Sequence, residues 1–259
     1  MKKVFVRISS LFLVLAMFST WSIAFASASD IELSDQKETS IETVVSDING
    51  ELQASGTSIE AELLNLRFQY RLNALQAETT ADRERWLNLV AGVDTLINDY
   101  TDYWTSESDN IMPQSDPIND AYLKTAVAAI VTWFSSKRYF LSAELLVTAR
   151  NNDDESLVYI PSNQDLIRES SVVKGLIKSG RPSGSGEFSS SGEMDLYYSI
   201  HLFKYEKKNN VFTLTDTYDY EHGDQSYGDS IADVAVDTMA NAQAAGIIVP
   251  YTVCVRIQY

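Results

Sequence analysis

Val211-Phe212-Thr213-Leu214-Thr215-Asp216-Thr217-Tyr218-Asp219-Tyr220 alternates apolar or aromatic residues with polar ones, the period-two pattern of a strand with one covered face. Met194 to Glu206 alternates in the same way, and Lys207-Lys208-Asn209-Asn210 between the two reads as the turn of a β-hairpin. Ile231 to Gly246 reads as a helix with Val234, Val236, Met239, Ala242 and Ala245 available for packing and Gly246 as its C-cap. Tyr251 to Tyr259 is a last strand. The expected unit is a small antiparallel β-β-α-β domain with the helix across one sheet face.

Upstream the periodicity is helical. Ile41, Val44, Val45, Ile48 and Leu52 share one side of a stretch that Gly50 and Gly56 are expected to break. Thr57-Ser58-Ile59-Glu60 reads as a capping box opening a helix with Ile59, Leu63, Leu66, Tyr70 and Leu75 on one side. Trp86, Leu89, Val90, Val93, Leu96, Ile97, Tyr100 and Trp104 mark the next helix, with Thr80 or Asp82 as its cap and a loop from Thr105 to Ser115. Asp116-Pro117 reads as a helix start. A helical hairpin follows, Tyr122 to Phe134 and Tyr139 to Arg150 with Ser135-Ser136 as the break. Leu157 to Ile160 reads as a short strand or extended link, and Asp165 to Lys178 as one more helix. Gly180 to Gly186 and Ser189 to Gly192 are turn-rich, and Phe188 between them can pin the loop to a neighbour.

The fold class expected is therefore α+β, a helical N-terminal region followed by a small α+β domain. The segments are a leader at 1–28, a helical region at 29–112, a helical hairpin and following helix at 113–179, a flexible linker at 180–192 and the C-terminal domain at 193–259.

The leader reading rests on Lys2, Lys3 and Arg7 ahead of the apolar run Leu11 to Phe18, with small residues at Ala24, Ala26 and Ala28. Cutting after Ala28 predicts a secreted or envelope-associated chain. An uncleaved anchor from Ile8 to Ala28 is the other reading of the same residues. Downstream, the best apolar run, Ala126 to Phe134, is well short of the roughly 20 residues a span needs, so no membrane span is expected once the leader is gone. The formal charge is −16, and losing Lys2, Lys3 and Arg7 takes it to −19. Such a field repels nucleic acid and anionic lipid as general partners. The single cysteine, Cys254, excludes an intrachain disulfide, which suits export by a bacterium without an outer membrane. Within an apolar strand it reads as a packed residue.

The candidate site is the end of the second strand. Asp216, Tyr218 and Asp219 there, with Glu221, His222 and Asp224 behind them, have the groups for acid/base or metal chemistry. Asp and Gly are also ordinary turn residues, so capping is the competing role. Strand alternation puts Phe212, Leu214, Asp216, Tyr218 and Tyr220 on one face. On the polar face it allows His201, Thr215, Asp219 and Arg256 to meet. No nucleotide-binding glycine loop, zinc-protease motif or nucleophile elbow occurs, and one Cys with two His is too few for a structural zinc.

Asp216-x-Tyr218-Asp219 at a hairpin end resembles the motif of the C-terminal activity domain of the colicin M family, over at most the last quarter of the chain. The resemblance implies a magnesium-dependent phosphoester hydrolase cleaving lipid II, the lipid-linked cell-wall precursor. It implies Asp216 and Asp219 as metal ligands or general base and Tyr218 as a hydrogen-bond donor. Where the family carries an adjacent His-Arg pair, this chain has Gln225-Ser226. The cations that would have to stabilise a phosphate are then His222 and Arg256.

Two functions follow. One is a bacteriocin-like hydrolase of the cell envelope. The other is a non-catalytic exported protein whose helical half binds a protein partner and whose C-terminal domain is degenerate. They differ in whether Asp216, Asp219, His222 and Arg256 converge on one phosphate.

Overall fold

Thr125 to Ser135 are buried without a break, so the helix carrying them is enclosed on every side. That helix is α4 (Asp120–Ser136). The computed structural model describes residues 43–107, 120–162, 164–220 and 230–259. The leader, Ile41, the Asp116-Pro117 start and His222 lie outside the described residues. The apolar run too short to span a bilayer is the core helix of the protein, and no described helix is long and apolar enough to cross a membrane.

Helices α1 (residues 43–54), α2 (Ile59–Gln76), α3 (Thr80–Glu107) and α5 (Phe140–Asn151) make up the rest of the helical half. Helix α1 runs through Gly50, and the turn after it holds Gly56, whose φ is +83°. Burying Ile48 and Leu52 outweighs the roughly 1 kcal/mol that an interior glycine costs. The cap of α2 is Ser58 rather than Thr57, its Oγ accepting from the Ala61 N–H at 3.2 Å. The buried stripe of α2 is Ile59, Leu63, Leu66, Tyr70 and Ala74, while Leu75 is 74% exposed. Thr79 caps α3, accepting from the Asp82 N–H at 3.0 Å, and α3 continues through Thr105 to Glu107, where a loop was expected. Arg150 ties α5 to Asp99 of α3 at 2.7 Å.

The C-terminal part is a mixed five-stranded sheet in the order β1-β5-β4-β3-β2. Its strands are β1 (Val158–Tyr159), β2 (Ser183–Glu187), β3 (Leu202–Lys208), β4 (Val211–Tyr218) and β5 (Tyr251–Gln258). The short helices α6 (Asp165–Glu169), α7 (Ser171–Lys178) and α8 (Met194–Ser199) lie between its strands in sequence, and α9 (Ser230–Ala244) joins β4 to β5. The α+β class is as expected, and β3-β4-α9-β5 is the expected β-β-α-β run. Parallel β1 and antiparallel β2 extend it at the two edges. Asn209 and Asn210, both at positive φ, close the β3–β4 hairpin as a two-residue turn of the kind Asn tolerates, so Lys207 and Lys208 belong to the strand.

Three expectations are corrected. Residues 194–199 form α8 rather than the start of a strand. Leu196 and Ile200 are both buried, and a spacing of four suits a helix face as well as a strand face. In β3, which starts only at Leu202, Phe203 and Tyr205 point inward and Leu202 outward. The stretch 180–192, expected as a flexible linker, contains β2 and the fully buried Phe188, whose ring lies 4.9 Å from that of Phe203. The helix expected over Asp165 to Lys178 is broken at Ser170, whose Oγ accepts from the Val173 N–H and starts α7.

Helices and sheet share one apolar core within the compact unit Ser40–Tyr259. The inner sheet face presents Phe203, Tyr205, Phe212, Leu214, Tyr218, Tyr251, Val253, Val255 and Ile257. The Tyr251 hydroxyl donates to the Leu145 carbonyl at 2.7 Å, and the Val249 N–H to that of Ala149 at 2.9 Å, fastening the β5 segment to α5.

β2 owes its place to its glycines. A Cβ on Gly186 would sit 2.3 Å from the Phe203 ring and 2.9 Å from Leu176 Cδ1. Gly186→Ala is expected to lower stability by about 1–3 kcal/mol through overpacking, read as a lower urea midpoint at unchanged slope.

Candidate functional site

The end of β4 separates the groups that the sequence put together. Asp216 pairs with Val253 and Tyr218 with Tyr251, on the inner face. Arg256 is exposed and pairs with Thr213, on the outer face. Asp219 lies just beyond the strand and is exposed. From Thr213 to Asp219 the extended chain covers about 20 Å, which keeps Arg256 far from Asp219 along the strand. His201 is two strands away from Arg256, its Nε2 3.3 Å from Glu187 Oε1 and its ring against Tyr197. Tyr218 is buried, its hydroxyl 2.5 Å from that of Tyr220. Tyr220 is held in turn by Gln243, which accepts from its N–H at 2.9 Å and donates to its carbonyl at 3.2 Å.

Burial pushes the Asp216 carboxyl up to about 7, the Thr217 backbone N–H lowers it, and the charge of Asp219 raises it further. Among the described residues no group of three or more His, Cys, Asp or Glu gathers as a cation site. Asp216 and Asp219 alone, one turned toward the core and the other to solvent, do not make up the oxygen shell that magnesium takes.

A second set of polar groups lies inside the helical half. Glu144, in the middle of α5, is 3% exposed, and its Oε1 accepts from the Tyr159 hydroxyl at 2.7 Å and the Ser162 N–H at 2.6 Å. Asp195, in α8, reaches the N-terminus of α5. Its carboxylate accepts from the Leu141 N–H at 3.0 Å and from the Ser142 N–H and hydroxyl at 2.8 Å each. Burial raises both carboxyls, and the hydrogen bonds offset only part of it. The phenols of Tyr70, Tyr159, Tyr218 and Tyr251 are all pushed well above their usual range, chiefly by burial. The fields of Glu144 and Asp195 act on Tyr70, and that of Asp195 also reaches Tyr218. The β4 phenol, Glu144 of α5 and Asp195 of α8 therefore lie in one buried polar region.

That region borders a cleft of about 730 Å³ between α2, the α4–α5 turn and α8, with Tyr70, Trp86, Glu144 and Asp195 in its lining. Sequence reasoning passed over Glu144, Asp195, Tyr70 and Tyr159. One sign was present in the sequence, since Glu144 is a lone acid within Leu141-Ser142-Ala143-Glu144-Leu145-Leu146-Val147.

Compared with family models, with curated proteins and with solved structures, the chain matches none of them. The functional reading rests on its own residues.

The Asp216 shift has a pH consequence. Below about 4 the carboxyl is protonated folded or unfolded and costs nothing. As pH rises from there through about 7 the unfolded chain ionises first, and stability is lost. Asp216→Asn is expected to gain on the order of a few kcal/mol over the parent at pH 8 and little at pH 4, measured by urea unfolding at both.

Proposed function

We propose that this chain is an exported bacterial binding protein that engages its partner through the helical half, while Asp216, Tyr218 and Asp219 carry no catalysis. The observation that carries this reading is the placement of Asp216 and Arg256 on opposite sheet faces, in a chain whose helical half borders a cleft of about 730 Å³. A phosphate held at Asp216 and Asp219 would have Arg256 well along the sheet from it, opposite Thr213 on the outer face, and a net charge of −16 opposes an anionic lipid pyrophosphate.

A second reading, a magnesium-dependent hydrolase of a lipid-linked cell-wall precursor, draws support from one feature. A carboxyl held near 7 beside a second carboxylate is suited to general acid/base work. In that reading Asp216 and Asp219 hold the cation, and His222 supplies the charge that Arg256 does not.

The chain from Ser29 onward, incubated with lipid II and Mg²⁺ beside its Asp219→Ala variant, separates the two. The binding reading expects no phosphorylated headgroup above the no-protein control from either. Release by the parent alone would establish the hydrolase.

A further inference from the structure

The cleft's volume of about 730 Å³ falls within the roughly 300–1,000 Å³ of small-molecule sites. Its α2 wall carries Glu62, Asn65, Gln69 and Asn73 at steps of three and four, a polar stripe beside the buried Leu66 and Tyr70. Primary amides both donate and accept, so this wall can pair with groups that do the same. Trp86 lies against Tyr70, with ring centroids 5.6 Å apart, and supplies an aromatic surface at one end.

The cleft's own wall is incomplete at Tyr70. Tyr70 is only 5% exposed, and its hydroxyl has no hydrogen-bond partner among the described residues. A buried hydroxyl left unpaired is unfavourable, and a bound group able to donate or accept would complete it.

The lining also sorts ligands by charge. Glu62, Glu144 and Asp195 face a single lining cation, Arg138, so a phosphate or carboxylate ligand is repelled. A polyamine needs carboxylate oxygens free to pair with it, yet both oxygens of Asp195 are taken by Leu141 and Ser142, and Glu144 Oε1 by Tyr159 and Ser162. An apolar ligand would strip water from the amides of Asn65, Gln69 and Asn73 without replacing their bonds. An uncharged ring bearing several hydroxyls meets all these terms, since its hydroxyls match the amides and its C–H face suits an aromatic surface.

We propose that the cleft between α2, the α4–α5 turn and α8 binds a neutral saccharide of one or two rings, with Gln69 and Asn73 holding its hydroxyls and Tyr70 completing the site. This rests on the binding reading above and names its ligand class.

The test is isothermal titration of the chain from Ser29 onward with maltose, cellobiose and chitobiose, with spermidine and inorganic pyrophosphate as charged probes. At least one disaccharide is expected to bind at one site per chain. Gln69→Ala, on the exposed face of α2, and Tyr70→Phe, which keeps the packing, are each expected to weaken it about tenfold. The unliganded Tyr70→Phe protein should melt no lower than the parent, which distinguishes loss of a ligand contact from loss of a structural bond. Heat from none of the sugars, from spermidine instead of them, or from a sugar equally well in both variants would overturn the proposal. Those failures stand apart from lipid II turnover, which would overturn the binding reading itself.

Discussion

The carboxylate of Asp195 on the N-terminus of α5 is the contact on which the arrangement of the two halves depends. The first turn of any helix leaves N–H groups unpaired, and a carboxylate there gains charge-assisted bonds and the field of the helix. In α5 the residue in the N-cap position, Tyr139, makes no side-chain capping bond. The acceptor comes instead from α8, 54 positions from Leu141, and answers two backbone donors and the Ser142 hydroxyl. Burial works against this carboxylate and raises its pKa, but three donors in a low-dielectric setting compensate for much of the lost hydration. From α5 the ties run on, to β5 through Tyr251 and to α3 through Arg150.

The same clamp shapes both places where chemistry was sought. It brings α8 against the α4–α5 turn, where Tyr198 packs among Trp133, Phe134 and Tyr139, and so closes one side of the cleft. It also sets a buried charge within reach of Tyr218, which ties the end of β4 to the interior of the helical half. A phenol that looks like a site residue in sequence is here a member of a core network, fully buried and bonded to a neighbouring phenol.

Where the period of the sequence and the period of the element agree, the fold was legible. Val211 to Tyr218 alternates cleanly and forms β4, and Leu89 to Leu96 repeats at three and four and lies along α3. Leu196 and Ile200 mislead because a spacing of four is two strand periods and close to one helical turn. β2 was hidden because Ser-Gly-Ser-Gly is turn chemistry, and its reason for being a strand lies in other residues, the Tyr205 and Phe203 rings that need a partner without Cβ atoms. The candidate site was legible only as residue types. Alternation does put Asp216 and Tyr218 on one face and Arg256 on the other, but it does not say that Arg256 pairs with Thr213 and so lies away from Asp219. Glu144 could be noticed as an acid in an apolar helix, whereas its partners at Tyr159 and Ser162 depend on how the chain returns after α5.

If the helical half and the sheet are one cooperative body held through Asp195, they should unfold together. Cys254, the single cysteine, is buried in β5 and reports opening of the sheet, while Trp86 and Trp133 report the helices. Thiol labelling and tryptophan fluorescence followed along one urea titration are predicted to give coincident transitions, which Asp195→Ala moves together to lower urea by about 2 kcal/mol. Labelling of Cys254 well before the tryptophan signal changes, in the unsubstituted chain, would show that the halves are separate bodies and contradict the account.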